Sequence, residues 1–365
     1  MPIEAESPEQ LGYERLRFNL TESSVRDRAL GELGLDLNAL TLCYTDHLGA
    51  PELRALIAAR AGRGLVADDI LVTAGASAAL FIIALTLLDK GDHLIIERPN
   101  YATNIETPKA LGCDIDYVDL DFDKGFVLDI DDIASRLRPT TRLISLTTPH
   151  NPTGISMTPD QLAAAIALTE RAGAYLLVDE TYRDMSFGVP LPIAATLSER
   201  AISVCSLSKS YGVPGIRSGW VACRDKDLMH RFLCAKEQIG ICGSVVDEAI
   251  AAQALRGADD WLAGNRARRA DAFGAVEQWI AGEPALEWVR PDGGCVCFPR
   301  IRADARVDVV AFYRALNDDH GAWVGPGHWF EQPDRYFRIG YGWPTPGDLT
   351  GGLAAISAAL RTAGG

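Results

Sequence analysis

The sequence predicts an α/β protein: a three-layer αβα large domain on a seven-stranded, mostly parallel sheet, plus a smaller α/β domain. From about residue 70 to 223, short apolar runs alternate with helical patterns, which is typical of βαβ units. Residues 286–360 carry a short α/β pattern of their own. At 365 residues the chain also exceeds the usual size of one hydrophobic core, so a second, smaller unit is expected.

Seven short apolar runs predict the strands of the large sheet. They cover residues 70–73, 93–97, 115–118, 143–147, 175–179, 201–205 and 219–223. Helical patterns lie between them at 78–88 and 159–172, and the second helix is expected to begin with Thr158 as its N-cap and Pro159 in its first turn. Beyond residue 224 the chain becomes mostly helical, through roughly 228–255 and 261–281.

Composition and charge exclude several classes of protein. The net charge of −14, with 49 acidic against 35 basic residues, argues against nucleic acid as a partner. Hydrophobic residues make up 48% and charged residues 23% of the chain, as in an ordinary globular protein. The start does not resemble a secretory signal, and no apolar run has membrane-spanning length, so neither export nor a membrane is expected.

The eight cysteines predict free thiols in a reducing cytoplasm, because they are spread along a chain without an export signal. Cys295 and Cys297 have the i, i+2 spacing that places two side chains on one face of a strand. Two small buried residues are the favoured interpretation, and no metal is expected, because no second pair with zinc-ligand spacing accompanies them.

Polar residues follow the predicted strands, where an open parallel sheet forms its ligand crevice. Small residues from Thr73 to Ser77 precede a helix and leave backbone N–H groups for a phosphate, although ordinary tight turns use the same residues. Asn151 follows another strand in Pro-His-Asn-Pro-Thr-Gly, which also fits a common turn. Asp179 ends a buried strand, where a carboxylate is costly unless it meets a cation or hydrogen-bond donors.

A lysine lies in the Ser/Gly-rich segment between the last two strands. Ser206-Leu-Ser-Lys209 leads, eight residues later, to Arg217. A loop lysine alone is usually solvated, so its significance depends on the polar groups that precede it in the chain.

In combination these motifs, from about Tyr44 to Arg338, resemble the class I/II aminotransferases, which are fold-type I enzymes dependent on pyridoxal 5'-phosphate (PLP). The resemblance implies that Lys209 carries PLP as a Schiff base and shuttles the substrate proton. It implies that Asp179 holds the pyridine nitrogen protonated, so that the ring becomes an electron sink. Asn151 and Tyr182 would then hydrogen-bond the ring's phenolate oxygen, and Tyr101 would stack on the ring, unless it is simply a core or surface tyrosine.

The same resemblance assigns the phosphate and substrate contacts. The phosphate would be held by one group of residues: Gly75, Ala76, Ser77, Ser206 and Arg217. Tyr44 matches a tyrosine that reaches the phosphate of the neighbouring subunit, so a homodimer with shared active sites is expected. Arg338 matches the arginine that clamps the substrate α-carboxylate, with an exposed strand arginine as the alternative; Asn151 would also contact substrate.

The resemblance further divides the chain into three parts. Residues 1–43 would join the small domain and the substrate entrance, 44–255 would form the large PLP-binding domain, and 256–365 the small C-terminal domain. Where many relatives carry Gly-Glu-Pro near the entrance, this chain reads Asn-Leu-Thr-Glu-Ser-Ser at 19–24. The acidic set of Glu22 and Asp46, with His47, motivates the hypothesis of a neutral or cationic substrate side chain; solvated surface charge is the alternative.

Transamination between an L-amino acid and a 2-oxo acid is the leading prediction for the reaction. The same residues suit a lyase, cyclase or oxidase, including capreomycidine synthase-like enzymes that act on arginine derivatives. A regulator that senses PLP without catalysis is a third hypothesis, but such proteins carry a DNA-binding domain before this fold, and only about forty residues precede Tyr44 here.

Overall fold

The computed structural model describes residues 7–364. Its strands are β1 (Phe18–Asn19), β2 (Ile70–Ala74), β3 (His93–Arg98), β4 (Asp114–Asp119), β5 (Thr141–Thr147), β6 (Tyr175–Asp179), β7 (Ala201–Ser206), β8 (Ser218–Ala222), β9 (Leu286–Glu287), β10 (Val296–Cys297), β11 (Arg300–Ile301), β12 (Ala322–Trp323), β13 (Gly325–Pro326) and β14 (Phe337–Gly340). Its α-helices are α1 (Pro8–Leu11), α2 (Pro51–Ala61), α3 (Gly75–Leu87), α4 (Ala102–Leu111), α5 (Ile130–Ser135), α6 (Pro159–Ala172), α7 (Lys226–Gly240), α8 (Val245–Arg256), α9 (Ala258–Ala281), α10 (Val309–Arg314) and α11 (Pro346–Ala363).

A seven-stranded sheet forms the centre of the protein, with the order β2-β8-β7-β6-β5-β3-β4. All seven predicted strands are present, and their ends differ from the prediction by at most two residues. Strand β8 runs antiparallel to both β2 and β7, whereas the pairs among β3, β4, β5, β6 and β7 are parallel. The predicted fold class is confirmed. The apolar pattern predicts the position of β8 in the chain but not the direction in which it runs.

Helices cover both faces of this sheet because successive strand residues point to opposite sides. On β3, Ile96 packs in a core with Ile83 of α3, whereas its neighbour Ile95 packs in a separate core with Leu162 of α6. All four side chains are buried. Strands that are apolar on both faces are typical of a parallel sheet between two helical layers, and they produce the αβα arrangement.

The helix boundaries follow local capping chemistry. Thr158 caps α6 as predicted, because its hydroxyl accepts a hydrogen bond from the Gln161 N–H at 3.1 Å. The single helical stretch expected over 228–255 is instead two helices, since α7 ends at Gly240 and Ser244 caps the start of α8. Glycines at 240 and 243 and a capping serine favour this interruption more strongly than the apolar pattern favours continuity.

A second lobe is built from α9, α10, α11 and the short strands β9 to β14. Its three-stranded sheet has the order β10-β14-β13, and both pairings are antiparallel. Strand β1 near the N-terminus pairs in parallel with β12 and so joins this lobe. Cys295 and Cys297 are fully buried in its core, as the sequence predicts. Within residues 7–364, no helix combines the length and hydrophobicity that crossing a membrane requires.

Candidate active site

A cavity of about 520 Å³ opens at the edge of the sheet where β5, β6 and β7 end. Helix α3 begins at the same edge and β8 starts there, because β8 runs in the opposite direction. The cavity brings together ten of the residues predicted from sequence: Ala76, Ser77, Tyr101, Asn151, Asp179, Tyr182, Ser206, Lys209, Arg217 and Arg338. Residues from distant parts of the chain therefore converge on one site.

Lys209 lies three residues beyond the end of β7 and is held by the N-terminal segment. Its Nζ donates a hydrogen bond to Ser23 Oγ at 2.8 Å, and its backbone carbonyl accepts from the Val25 N–H at 2.9 Å. Leu207, two residues earlier, is fully buried and fixes the loop to the core. The amine is thus directed into the cavity by contacts on both its side chain and its backbone.

Asp179 forms the end of β6 and is only 7% exposed. Oδ1 accepts hydrogen bonds from the Thr181 N–H at 3.0 Å and the Thr181 hydroxyl at 2.6 Å, which leaves Oδ2 for a ligand. Burial raises the pKa of this carboxyl, while Thr181 and the charge on Lys209 act in the opposite direction. A cationic ligand group here would offset the cost of burying the carboxylate.

The turn between β2 and α3 forms a cradle with the side chain of Arg217. Gly75 has φ +79°, and a Cβ there would meet the Arg217 guanidinium at 2.5 Å. A Cβ on Gly219 of β8 would lie 2.7 Å from the Ala76 nitrogen, so glycine is required where this strand passes the start of α3. Free N–H groups at the helix start, the Ser77 and Ser206 hydroxyls and a guanidinium suit a phosphate dianion.

Tyr101 lies beside this cradle, at the N-cap of α4, and lines the same cavity. Its hydroxyl is 3.1 Å from Ser77 Oγ, and its backbone N–H donates to Asn100 Oδ1 at 2.7 Å. The ring is therefore positioned from both ends and lines the cavity. The position is suited to a residue that stacks on a planar ligand.

Arg338 enters the cavity from β14 of the second lobe and is 7% exposed. Its Nη1 donates to Asn151 Oδ1 at 3.0 Å and its Nη2 to the Thr21 carbonyl at 2.8 Å. Because the Asn151 carbonyl is occupied in this way, its amide nitrogen remains as a donor. Nε of Arg338 is buried and has no hydrogen-bond partner among the described residues, so the guanidinium keeps binding capacity for an anion.

The Tyr182 hydroxyl donates to the Ser23 carbonyl at 2.6 Å. Burial raises the pKa of this phenol, so it remains protonated. Ser23 was missed by sequence reasoning, although it contacts both Tyr182 and Lys209. The segment at 19–24 that departs from the relatives' pattern was the available signal, and the structure places residues 21–24 in the cavity wall.

Tyr44 lies outside the cavity of its own chain and is 82% exposed. Asp46 and His47 are also absent from the wall: Asp46 lies 3.3 Å from the Arg54 guanidinium, and His47 Nδ1 lies 2.6 Å from Glu237 Oε1. Of the acidic set considered from sequence, only Glu22 reaches this cavity. The structure adds Glu9, Tyr13 and Asp27 to the same wall, and no motif indicated them.

A buried carboxylic acid, Glu97, lies near Asp179 at the end of β3 and is 2% exposed. It accepts a hydrogen bond from the Thr147 N–H. Burial raises its pKa to about 8, and the charge of Asp179 acts in the same direction. The acid is therefore mostly protonated at neutral pH.

Replacing Glu97 with glutamine is expected to flatten the dependence of stability on pH. The folded-state pKa lies above the unfolded value, so the contribution of Glu97 is fully present below about pH 4 and is lost as the pH rises towards 8. Urea titrations of both proteins between about pH 5 and pH 8 should show the wild type losing more unfolding free energy than Glu97→Gln. Parallel pH profiles would contradict the assignment.

Comparison with known proteins agrees with the geometry. Residues 32–356 match the family described as aminotransferase class I and II. The chain is similar to capreomycidine synthase of Streptomyces vinaceus, 32% identical over 96% of this chain and 91% of that protein. It is also similar to the arginine–pyruvate transaminase AruH of Pseudomonas aeruginosa, 31% identical over 79% and 74% of the two chains. A PLP-dependent aminotransferase from Streptococcus suis superposes with a TM-score of 0.89, at 28% identity over 97% and 96% of the chains.

Proposed function

The chain belongs to the aminotransferase class I and II family, and we propose that it moves an amino group from an L-amino acid to a 2-oxo acid with PLP bound at Lys209. The observation that carries the proposal is the convergence, in one cavity, of a lysine amine, a buried carboxylate, a phosphate cradle and a buried arginine. The family assignment, the similar arginine–pyruvate transaminase and the neighbouring aminotransferase structure support the same reaction.

Lys209 and Asp179 have the central chemical roles in this proposal. When bound, PLP supplies an electron sink for the pair of electrons left after the substrate Cα loses its proton. Lys209 Nζ takes that proton and returns it, and the Ser23 hydroxyl at 2.8 Å orients the amine. Asp179 Oδ2 would accept a hydrogen bond from the ring nitrogen of the cofactor and would favour the protonated form of that nitrogen.

The other residues orient the two bound molecules. Tyr101 would support the face of the cofactor ring, and the Asn151 amide N–H would be the donor to the ring oxygen. Tyr182 would share that oxygen only by exchanging its hydrogen bond to Ser23. The cradle formed by Gly75, Ala76, Ser77, Ser206 and Arg217 binds the phosphate.

Arg338 binds the substrate α-carboxylate in this proposal, and Asn151 lies beside the same group. The two hydrogen bonds from Arg338 to Asn151 and Thr21 fix the plane of the guanidinium before substrate arrives. A planar fork of donors suits a carboxylate, and its orientation sets the position of Cα relative to Lys209.

An amino-donor screen on purified holoenzyme tests the reaction. With pyruvate or 2-oxoglutarate as acceptor, at least one L-amino acid should be converted to its 2-oxo acid, with an equal amount of new amino acid formed from the acceptor. The cofactor absorbance should change when that donor is added without acceptor. Failure of every donor to yield a 2-oxo acid would overturn transamination.

A cyclase, lyase or oxidase acting on an arginine-derived substrate is the second candidate. Capreomycidine synthase favours it, because its similarity extends over nearly the whole chain. The same donor screen separates the two, since a cyclised product or released ammonia, without amino transfer, identifies the second candidate.

We further propose a homodimer in which Tyr44 reaches the phosphate site of the partner. The high exposure of Tyr44 and its position outside the cavity of its own chain support this role, and Leu42, two residues earlier in the chain, is also exposed.

We also propose that the chain is divided into an entrance segment at 1–43, a large domain at 44–255 and a small domain at 256–365. Eight unpaired cysteines support a cytoplasmic location.

Mixing two impaired variants is expected to restore activity if the sites are shared. A hybrid of Lys209→Ala and Tyr44→Ala subunits contains one site with both defects and one with neither, because Lys209 and Tyr44 of a given site come from different chains. Each hybrid should have about half the wild-type turnover. Activity no higher than the mean of the two parents would contradict sharing.

A further inference from the structure

Three carboxylates lie on the wall of the active-site cavity, and the charge of Lys209 acts on one of them, Glu22. They are Glu9, Glu22 and Asp27, and none of them forms an ion pair with a residue in the described range 7–364. Burial raises the pKa of Glu22 and the charges of Glu9 and Asp27 act in the same direction, whereas the hydrogen bond from Tyr13 and the charge of Lys209 oppose them. Glu9 and Asp27 are exposed, so the cost of ionisation falls mainly on the half-buried Glu22, and a cation beside it would offset that cost.

Aromatic donors hold two of these carboxylates in place. Glu22 Oε1 accepts from the Tyr13 hydroxyl at 2.6 Å, and Asp27 Oδ2 accepts from Trp343 Nε1 at 2.7 Å. The rings of Tyr13 and Trp343 are 6.2 Å apart and tilted by 38°. In each carboxylate the other oxygen remains for a ligand, and ring faces of this kind attract cations.

Glu22, on this acidic wall, lies in the chain between two residues that contact the reaction centre. Thr21, immediately before Glu22, accepts from Arg338, and Ser23, immediately after it, contacts Lys209. Arg338 is an independent sign of a ligand in the same cavity, because its buried Nε has no partner among the described residues. An amino acid bound with its carboxylate at Arg338 and its Cα near Lys209 would share this cavity with Glu22.

We propose that Glu22, Asp27 and Glu9 form the subsite for a cationic substrate side chain, with a guanidinium as the best match. This rests on the amino-acid chemistry proposed above for the cavity. A guanidinium presents five N–H donors in a planar fork, so it binds two carboxylates at once and stacks on Tyr13. A side-chain carboxylate would meet only like charge on this wall.

Arginine and citrulline provide the matched test, because arginine ends in a cationic guanidinium and citrulline ends in a neutral urea group on the same carbon chain. Each is titrated into the wild-type holoenzyme; the cofactor absorbance gives the dissociation constant and the rate of the first half-reaction, and glutamate serves as the acidic probe. The wild type should prefer arginine to citrulline by about 10- to 100-fold in kcat/KM, the range expected for a hydrogen bond to a charged group. Glutamate should be poorer than both.

Glu22→Gln should remove most of this preference. It should lower kcat/KM for arginine about 10-fold or more and leave kcat/KM for citrulline nearly unchanged. Asp27→Asn, at a more exposed site, should act in the same direction by about threefold. It serves as the second variant if Glu22→Gln fails to fold or to load cofactor. Asp304→Asn is a charge-matched control, because Asp304 lies on the second lobe and pairs with Arg302 at 3.1 Å. It should change kcat/KM for neither substrate.

The outcomes separate this subsite from the proposed function. The subsite is wrong, and the proposed function remains, if another amino acid reacts but kcat/KM for arginine is no higher than for citrulline. The same conclusion follows if Glu22→Gln lowers kcat/KM for both substrates equally. If no amino acid alters the cofactor absorbance of the wild type, the proposed function fails and the subsite fails with it.

Discussion

Replacement of Lys209 with alanine is expected to reduce turnover by about 10³-fold or more, because it removes the group that moves the substrate proton. The variant should still bind PLP through the phosphate cradle and Asp179, but without a covalent link. Its visible absorbance should therefore differ from that of the wild type, and borohydride should fix no cofactor to it. Stopped-flow and steady-state assays with the best donor measure the loss.

Two controls make this result specific. Lys124→Ala removes an exposed lysine that does not line the cavity and should leave both absorbance and turnover unchanged. A small primary amine added to Lys209→Ala should restore part of the activity, since the missing group is an amine. Wild-type absorbance in the Lys209 variant would contradict the assigned role.

Replacement of Asp179 with asparagine is expected to reduce kcat by about 100-fold or more, the scale measured when one preorganised electrostatic contact is removed. An amide keeps the shape and can still accept the hydrogen bonds from Thr181, but it has no charge to hold a pyridinium proton. The cofactor should also bind more weakly. Equilibrium dialysis and single-turnover rates measure the two effects.

Asp179→Glu is the matched variant, because it keeps the charge and alters only its position. It should retain more activity than Asp179→Asn at every pH where both are folded. If Asp179→Asn retained the wild-type kcat, the electrostatic role of Asp179 would be wrong.

The fold was largely predictable because its strands are buried on both faces. The run ending at Asp179 predicts β6 with both of its observed ends, since apolar residues stop where the polar edge of the sheet begins. The direction of β8 was not predictable from such a run, because hydrophobicity has no direction along the chain. The break between α7 and α8 depends on capping at Ser244, which the apolar pattern hides.

The site was predictable where it lies at strand ends and much less so where the N-terminal segment contributes. Asp179 ends one strand and Lys209 follows the next, so the topology of the sheet brings them together. Ser23 and Glu22 reach the same cavity through tertiary contacts, such as the one between Ser23 and Tyr182, 159 residues apart in sequence. No local pattern records a contact of that range.

Mass spectrometry of the borohydride-reduced holoenzyme identifies the lysine that holds the cofactor. Reduction converts a covalent lysine–cofactor link into a stable adduct, and proteolysis then identifies the modified peptide. We expect one adduct per chain, on the peptide that contains Ser206, Ser208 and Lys209. An adduct on another lysine, or none on a catalytically active protein, would contradict it.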